Sequence, residues 1–309
     1  MSAFSPESGT WDPESRVPSP EVRAPSPESR IPNPGPSSPI GVFDSGVGGL
    51  SVLREIRHEL PAENLIYVAD SGYAPYGDRS ESYVRGRAVA VMEFLRGQGA
   101  KAVVVACNTA TGIAVDALRA GYDVPIVAIE PAVKPAVART QSGVVGVLAT
   151  TQTLAGQKFA RLVSTHAGDV EVLTQACPGL VEQVEAAELA SQSTRSLVER
   201  YLRPVLDRGA DTIVLGCTHY PFVADMIREI AGAGVTVIDS AVPVARELRR
   251  RLQSSGLLAT ASRHGSETFW TTGSVESVRP VIAQLWAREV DVRAMPAAPD
   301  TEARGAGAR

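Results

Sequence analysis

From Ile40 to about residue 298, short apolar runs alternate with stretches whose apolar positions recur every three to four residues. The runs at 40–43, 64–70, 102–106, 125–130, 143–150, 170–175, 212–216 and 235–240 predict buried strands. The periodic stretches at 49–60, 81–97, 154–166, 194–208 and 222–231 predict amphipathic helices between them. A closing portion predicts a helix at 243–254, a strand at 268–273, a helix at 275–287 and a strand at 291–296. Such alternation implies parallel α/β sheets covered by helices on both faces.

Two of these runs end in cysteine and turn polar at once: AVVVACNTAT around Cys107 and TIVLGCTHYP around Cys217. A thiol at the C-terminal end of a buried strand faces the mouth of the sheet, where open α/β folds place their ligands. Two thiols in similar frames suggest two halves that each bring one sulfur to a shared cleft. That arrangement suits removing a proton from one face of a carbon while adding one to the other. The bland alternative is a buried small hydrophobe, which is what most free cysteines are. Asn108 and Thr109 after Cys107, and Thr218 and His219 after Cys217, weigh against it. They offer hydrogen bonds to an amino or carboxylate group, and an adjacent imidazole can hold the thiol proton. Cys177, in QACPGLVEQVE, lacks such neighbours and reads as a core or loop thiol.

Two loops join this set. FDSGVGGLSVL puts Asp44 and Ser45 directly after the first strand, with Gly46, Gly48 and Gly49 leading into a helix, a place where free backbone N–H groups favour an anion. It lacks both the Gly-Lys-Ser/Thr of a phosphate loop and dinucleotide spacing. DSGYAPYGDRS, at 70–80, is a second loop between a strand and a helix, rich in Pro, Gly and Tyr. His58, His166 and His264 read as surface residues.

Composition narrows the classes. A chain of 309 residues, 44% hydrophobic and 21% charged, has room for two packed domains. A net charge of −4 without any Lys/Arg run longer than Arg249–Arg251 argues against nucleic acid or an anionic membrane as the main partner. Three cysteines in no disulfide pattern, with no signal sequence or spanning segment, predict a cytoplasmic protein. Chelating spacings for zinc are missing, so a metal is not expected. The only lysines, Lys101, Lys134 and Lys158, sit in no ligand-like loop, which disfavours pyridoxal phosphate and leaves cofactor-independent chemistry. Residues 1–39 differ from the rest, with Ser/Asp-Pro-Glu recurring every seven residues. Proline in each repeat excludes a continuous helix and predicts an extended, disordered tail.

VFDSGVGGL, PYGDRS, ACNTA and GCTHYP, in this order, closely resemble the bacterial glutamate racemases of the aspartate/glutamate racemase superfamily, over roughly residues 40 to 290. The resemblance implies two similar three-layer α/β/α domains with mostly parallel sheets, related by a pseudo-two-fold axis, with the active site in the interdomain cleft. One domain would comprise 40–131 and 241–298, the other 132–240, with 299–309 a flexible tail. It implies Cys107 and Cys217 as the two general acid/bases, supported by Asp44, His219 and Glu185. It implies substrate contacts at Asp44, Ser45, Pro75, Tyr76, Gly77, Asn108, Thr109, Thr218 and His219, no cofactor, and a homodimer that supplies D-glutamate for peptidoglycan. Gly179 and Glu182 depart from the family pattern just before Glu185, and Gly156 and Phe159 stand where Ser and Tyr are frequent. A racemase for aspartate is the nearest alternative, and a binding or regulatory protein the alternative from another class.

Overall fold

The computed structural model describes residues 34–260 and 263–296, so most of the repeat tail and the 299–309 segment lie outside the described residues. Among the described residues, ten strands form two sheets. The first contains β1 (Ile40–Asp44), β2 (Leu65–Ala69), β3 (Ala102–Val105), β4 (Ile126–Ala128), β9 (Glu267–Thr271) and β10 (Val292–Ala294), in the order β10-β9-β2-β1-β3-β4. The second contains β5 (Val144–Ala149), β6 (Glu171–Ala176), β7 (Thr212–Leu215) and β8 (Thr236–Ile238), in the order β6-β5-β7-β8. Every strand pair among them is parallel, as expected when the strands are joined by helical crossovers.

Helices α1 (Leu50–Glu59), α2 (Glu81–Gly97), α3 (Asn108–Gly121), α4 (Val133–Val137), α5 (Thr151–Ala155), α6 (Gln157–His166), α7 (Leu180–Glu185), α8 (Gln192–Leu206), α9 (Ala224–Ala231), α10 (Ala241–Ser254) and α11 (Val275–Trp286) make those crossovers. The first sheet is buried on both faces because its strands are apolar at consecutive positions. Val42 and Val104 pack in one cluster with Leu50, Leu53, Leu248 and Ile282, while Phe43, Val103 and Val105 pack in another with Val91, Leu95 and Leu118.

Several elements differ from the sequence reading, which held no helix at α3, α4 or α7. α3 was not anticipated, because the polar residues after Cys107 were read as ligand groups rather than as a helix start; Ala110, Ala114, Val115 and Leu118 form its buried stripe. The helix expected at 154–166 is two helices, because Gly156 adopts an extended conformation (φ −72°, ψ 140°) between α5 and α6. Residues 35–39, counted with the tail, form a turn joined to the bottom of the first sheet, with the Lys101 N–H donating to the Pro39 carbonyl (2.9 Å).

The chain passes from the first sheet to the second after β4 and returns after β8. The two passages are bonded where Ser240 Oγ donates to the Glu130 carbonyl. Among the described residues, no helix is long and apolar enough to cross a membrane.

At the edge of the first sheet remote from the strand C-termini, Lys101 and Glu63 are both fully buried and paired at 2.5 Å. Glu63 Oε1 also accepts the Ala259 N–H (2.8 Å), so the pair joins the 36–39 turn to the segment after α10. Breaking a buried pair from one side strands a charge. Lys101→Met is therefore expected to cost about 3–5 kcal/mol in urea unfolding. Lys101→Met/Glu63→Gln, which leaves no charge unpaired and keeps the Ala259 acceptor, should recover most of that loss.

Candidate active site

The C-terminal ends of β1, β3, β5 and β7 converge. β1 runs beside β3 with Phe43 opposite Val105, which sets Asp44 next to the Ala106–Cys107 step. Cys107 occupies the N-cap position of α3, where its sulfur accepts the Ala110 N–H (3.4 Å). The Cys107 thiol points at Ser45 Oγ (3.7 Å), and Ser45 Oγ lies 3.4 Å from Asp44 Oδ1, so one hydroxyl connects the thiol to a carboxylate. Asp44 is fully buried, and the turn it begins supplies two bonds to it: the Ser45 N–H to Oδ1 (2.8 Å) and the Gly49 N–H to Oδ2 (2.7 Å). Burial pushes the Asp44 carboxyl above its ordinary value, against the opposing pull of His219. Burial, reinforced by the charge of Asp44, pushes the Cys107 thiol well up.

On the other side, Cys217 Sγ lies 3.6 Å from His219 Nδ1, and His219 Nε2 lies 2.6 Å from Glu185 Oε1. Burial alone would lower the imidazole, but hydrogen bonds to Cys217 and Glu185 outweigh it and hold His219 well above 6.5. An imidazolium with both N–H groups donating fits this geometry. Glu185 Oε1 also accepts the Val47 N–H (2.7 Å), while Thr218 Oγ1 donates to Asp44 Oδ2 (3.2 Å) and Ser51 Oγ donates to the Thr218 carbonyl (2.9 Å). The two sheets thus share one polar network through the β1–α1 turn.

Both thiols line a single cavity. Of the residues expected at the site, Ser45, Pro75, Tyr76, Gly77, Asn108, Thr109, Thr218 and His219 line it with them. Asp44 and Glu185 do not; they stand behind Ser45 and His219 as partners of the wall. Asn108 Oδ1 is buried without a hydrogen-bond partner, an acceptor available to a bound ammonium group. The Tyr76 hydroxyl donates to Asp70 rather than into the cavity, so Tyr76 meets a ligand by its ring or backbone. His58 and His264 are exposed and His166 half-buried, away from the cavity. Cys177 is buried and pushed up to about 12, chiefly by that burial, and does not line the cavity.

Sequence reasoning missed Thr150, Thr153 and Val181, which complete the lining. Thr150 and Thr153 lie 2.9 Å apart through their hydroxyls and reach Thr109 Oγ1 at 3.1 and 3.3 Å, another bridge between the sheets. The signal was present: Thr150 directly follows β5, the same strand-end position that marked both cysteines.

Residues 40–248 match the family model for Asp/Glu/Hydantoin racemase. A glutamate racemase of Methylococcus capsulatus is 55% identical over 263 residues, covering 85% of this chain and 97% of that protein. One from Pseudomonas aeruginosa is 53% identical over 251 residues, covering 81% and 94%. Among solved structures, a Bacillus anthracis glutamate racemase isoform superposes with a TM-score of 0.78 at 35% identity, covering 84% of this chain and 98% of that one. The Escherichia coli glutamate racemase, solved with L-glutamate and the activator UDP-MurNAc-Ala, superposes with a TM-score of 0.74 at 31% identity, covering 83% and 98%. With a family model spanning most of the chain and relatives above half identity, this chain belongs to the Asp/Glu/hydantoin racemase family.

Proposed function

We propose that this protein is a cofactor-independent glutamate racemase that interconverts L- and D-glutamate by two-thiol proton transfer and supplies D-glutamate for peptidoglycan. The observation that carries the reading is the pair of thiols on one cavity, each from a different sheet and each with its own proton-handling partner. Relatives above half identity that bear the name glutamate racemase support the substrate.

The α-carbon of an amino acid is a very weak acid, so a racemase needs a base and an acid on opposite faces in a site poor in water. In one direction the Cys107 thiolate takes the α-proton and the electron pair of the C–H bond stays on carbon. The Cys217 thiol then delivers a proton to the opposite face and is left as thiolate beside the His219 imidazolium; in the reverse direction the roles exchange. Burial that makes the Cys107 thiol hard to ionise also makes its thiolate a strong base, and Ser45 and Asp44 give its proton a path. Asn108, Thr109, Thr218 and the backbone at Tyr76–Gly77 hold the substrate's polar groups. The chain's two similar sheets make up the two halves of this cleft, and a cytoplasmic homodimer rests on the family resemblance, with sedimentation velocity as its check.

Purified protein with L-glutamate, then D-glutamate, with EDTA and a reductant and without pyridoxal phosphate, should converge to the racemate by circular dichroism. Retention of either enantiomer would sink the glutamate reading, and conversion of aspartate alone would move the substrate. Cys107→Ser and Cys217→Ser should each slow racemisation by about 10²–10⁴-fold. In D2O, early product should carry deuterium while unreacted substrate keeps its proton; equal wash-in to both would indicate one base.

Glu185→Gln removes the anion that helps hold the His219 proton, so the alkaline limb of the kcat/KM profile should move to lower pH. A raised folded value contributes stability that is complete below about pH 6.5 and is lost as pH rises through that value. The thermal destabilisation by Glu185→Gln should therefore be largest at and below about pH 6.5, above the carboxylate range, and should shrink towards alkaline pH.

A further inference from the structure

Asp70 follows β2, is fully buried, and uses both carboxylate oxygens fully. Oδ1 accepts from Arg87 Nη2 (2.8 Å) and Thr272 Oγ1 (2.9 Å), and Oδ2 accepts from Arg87 Nε (3.0 Å) and from the Tyr76 hydroxyl. These partners come from three places: α2, the residue after β9, and the middle of the 71–80 loop. Arg87 also stacks on Tyr73 in the same loop, 3.4 Å from the ring centre. Thr272 Oγ1 accepts the Gly72 N–H (3.1 Å), and a Cβ at Gly72 would lie 2.5 Å from the Thr272 carbonyl oxygen, so the loop start is pressed against that strand end. The backbone N–H of Asp70 donates to the Asp44 carbonyl (3.0 Å), which fixes this anchor to the strand that carries the proton-handling carboxylate.

A buried Asp–Arg pair is often no more than a structural tie. Here it reaches Tyr76 from behind, and Pro75, Tyr76 and Gly77 form one wall of the thiol cavity. We propose that Asp70 is a positioning residue for this wall: through Tyr76, Arg87 and Thr272 it holds the 71–80 loop in the conformation that receives the substrate, without touching the reacting atoms. The pre-set loop spares the substrate the cost of ordering it, so the gain appears in binding rather than in the proton-transfer steps. The proposal rests on the racemase reading for its kinetic form, but its structural content is the order of the loop.

The test is Asp70→Asn in the full-length chain, read by racemisation of L- and D-glutamate and by hydrogen exchange of amides 71–80. Loss of charge-assisted bonds to Arg87 and Tyr76 should raise KM about tenfold or more in both directions and leave kcat within about threefold. Exchange should accelerate in the loop and not in β2. Tyr76→Phe, which removes one donor and is milder should Asp70→Asn fail to fold, should raise KM in the same sense. Arg87→Lys should fall between wild type and Arg87→Ala, because lysine cannot reproduce the two-pronged contact. An unchanged KM with a lowered Tm would reduce the pair to a structural tie, and a kcat loss at unchanged KM would place Asp70 in the chemistry; either overturns the proposal. A wild-type protein that does not racemise glutamate would count against the proposed function instead. Loop exchange would then decide alone, and unchanged protection in Asp70→Asn would overturn the positioning role.

Discussion

The site depends on how closely the β1–α1 turn approaches the His219–Glu185 pair. A Cβ at Gly46 would lie 1.9 Å from Glu185 Oε1, and one at Gly48 would lie 2.3 Å from His219 Nδ1. Real side chains do not fit such gaps, so the bare backbone of this turn lets an acid and an imidazole from the second sheet press against the strand end that carries Asp44. The Val47 N–H bond to Glu185 and the Thr218 bond to Asp44 exist because of that approach. The Tyr67 hydroxyl secures the turn from the other side by donating to the Gly46 carbonyl (2.6 Å).

The same closeness settles an electrostatic problem. Two carboxylates and an imidazole meet where water is largely excluded, and each would be costly there alone. Asp44 is compensated by two backbone N–H groups and the Thr218 hydroxyl, and Glu185 by Val47 and His219. His219 in turn is compensated by Glu185 and Cys217. The neighbourhoods of the two thiols are consequently unlike: a hydroxyl leading to a buried acid on one side, a cation on the other. Under the proposed two-thiol mechanism, opposite faces of a bound substrate would therefore meet chemically different proton carriers.

Much of this was legible in the chain because strand ends are loud in sequence. A buried parallel strand is a continuous apolar run, and its sudden end at Asp44, Cys107 or Cys217 marks the mouth of a sheet. Quieter features were lost for physical reasons. α3 starts at the polar residues after Cys107, which suit a ligand as well as a helix start, and the break at Gly156 is a backbone choice that hydropathy does not record. Thr150 and Thr153 speak through hydroxyl contacts to Thr109, a residue distant in the chain, so their role shows only once the sheets are brought together. Glu185 is the converse: its local sequence departs from the family pattern, yet the fold carries it to His219.

The chain crosses between the sheets at two points bonded to each other by Ser240 and Glu130, while other ties between the halves include the bonds of the cavity wall and, outside it, Lys158 to Asp116, Gln152 to the Arg79 carbonyl and Gln284 to the Ala187 carbonyl. Any parting of the halves about that joined edge must first sever Asp44 from Thr218 and Glu185 from Val47. In the proposed racemase, admission of a substrate by such a parting would therefore undo the same bonds that hold Asp44, Thr218 and Glu185 beside the thiols.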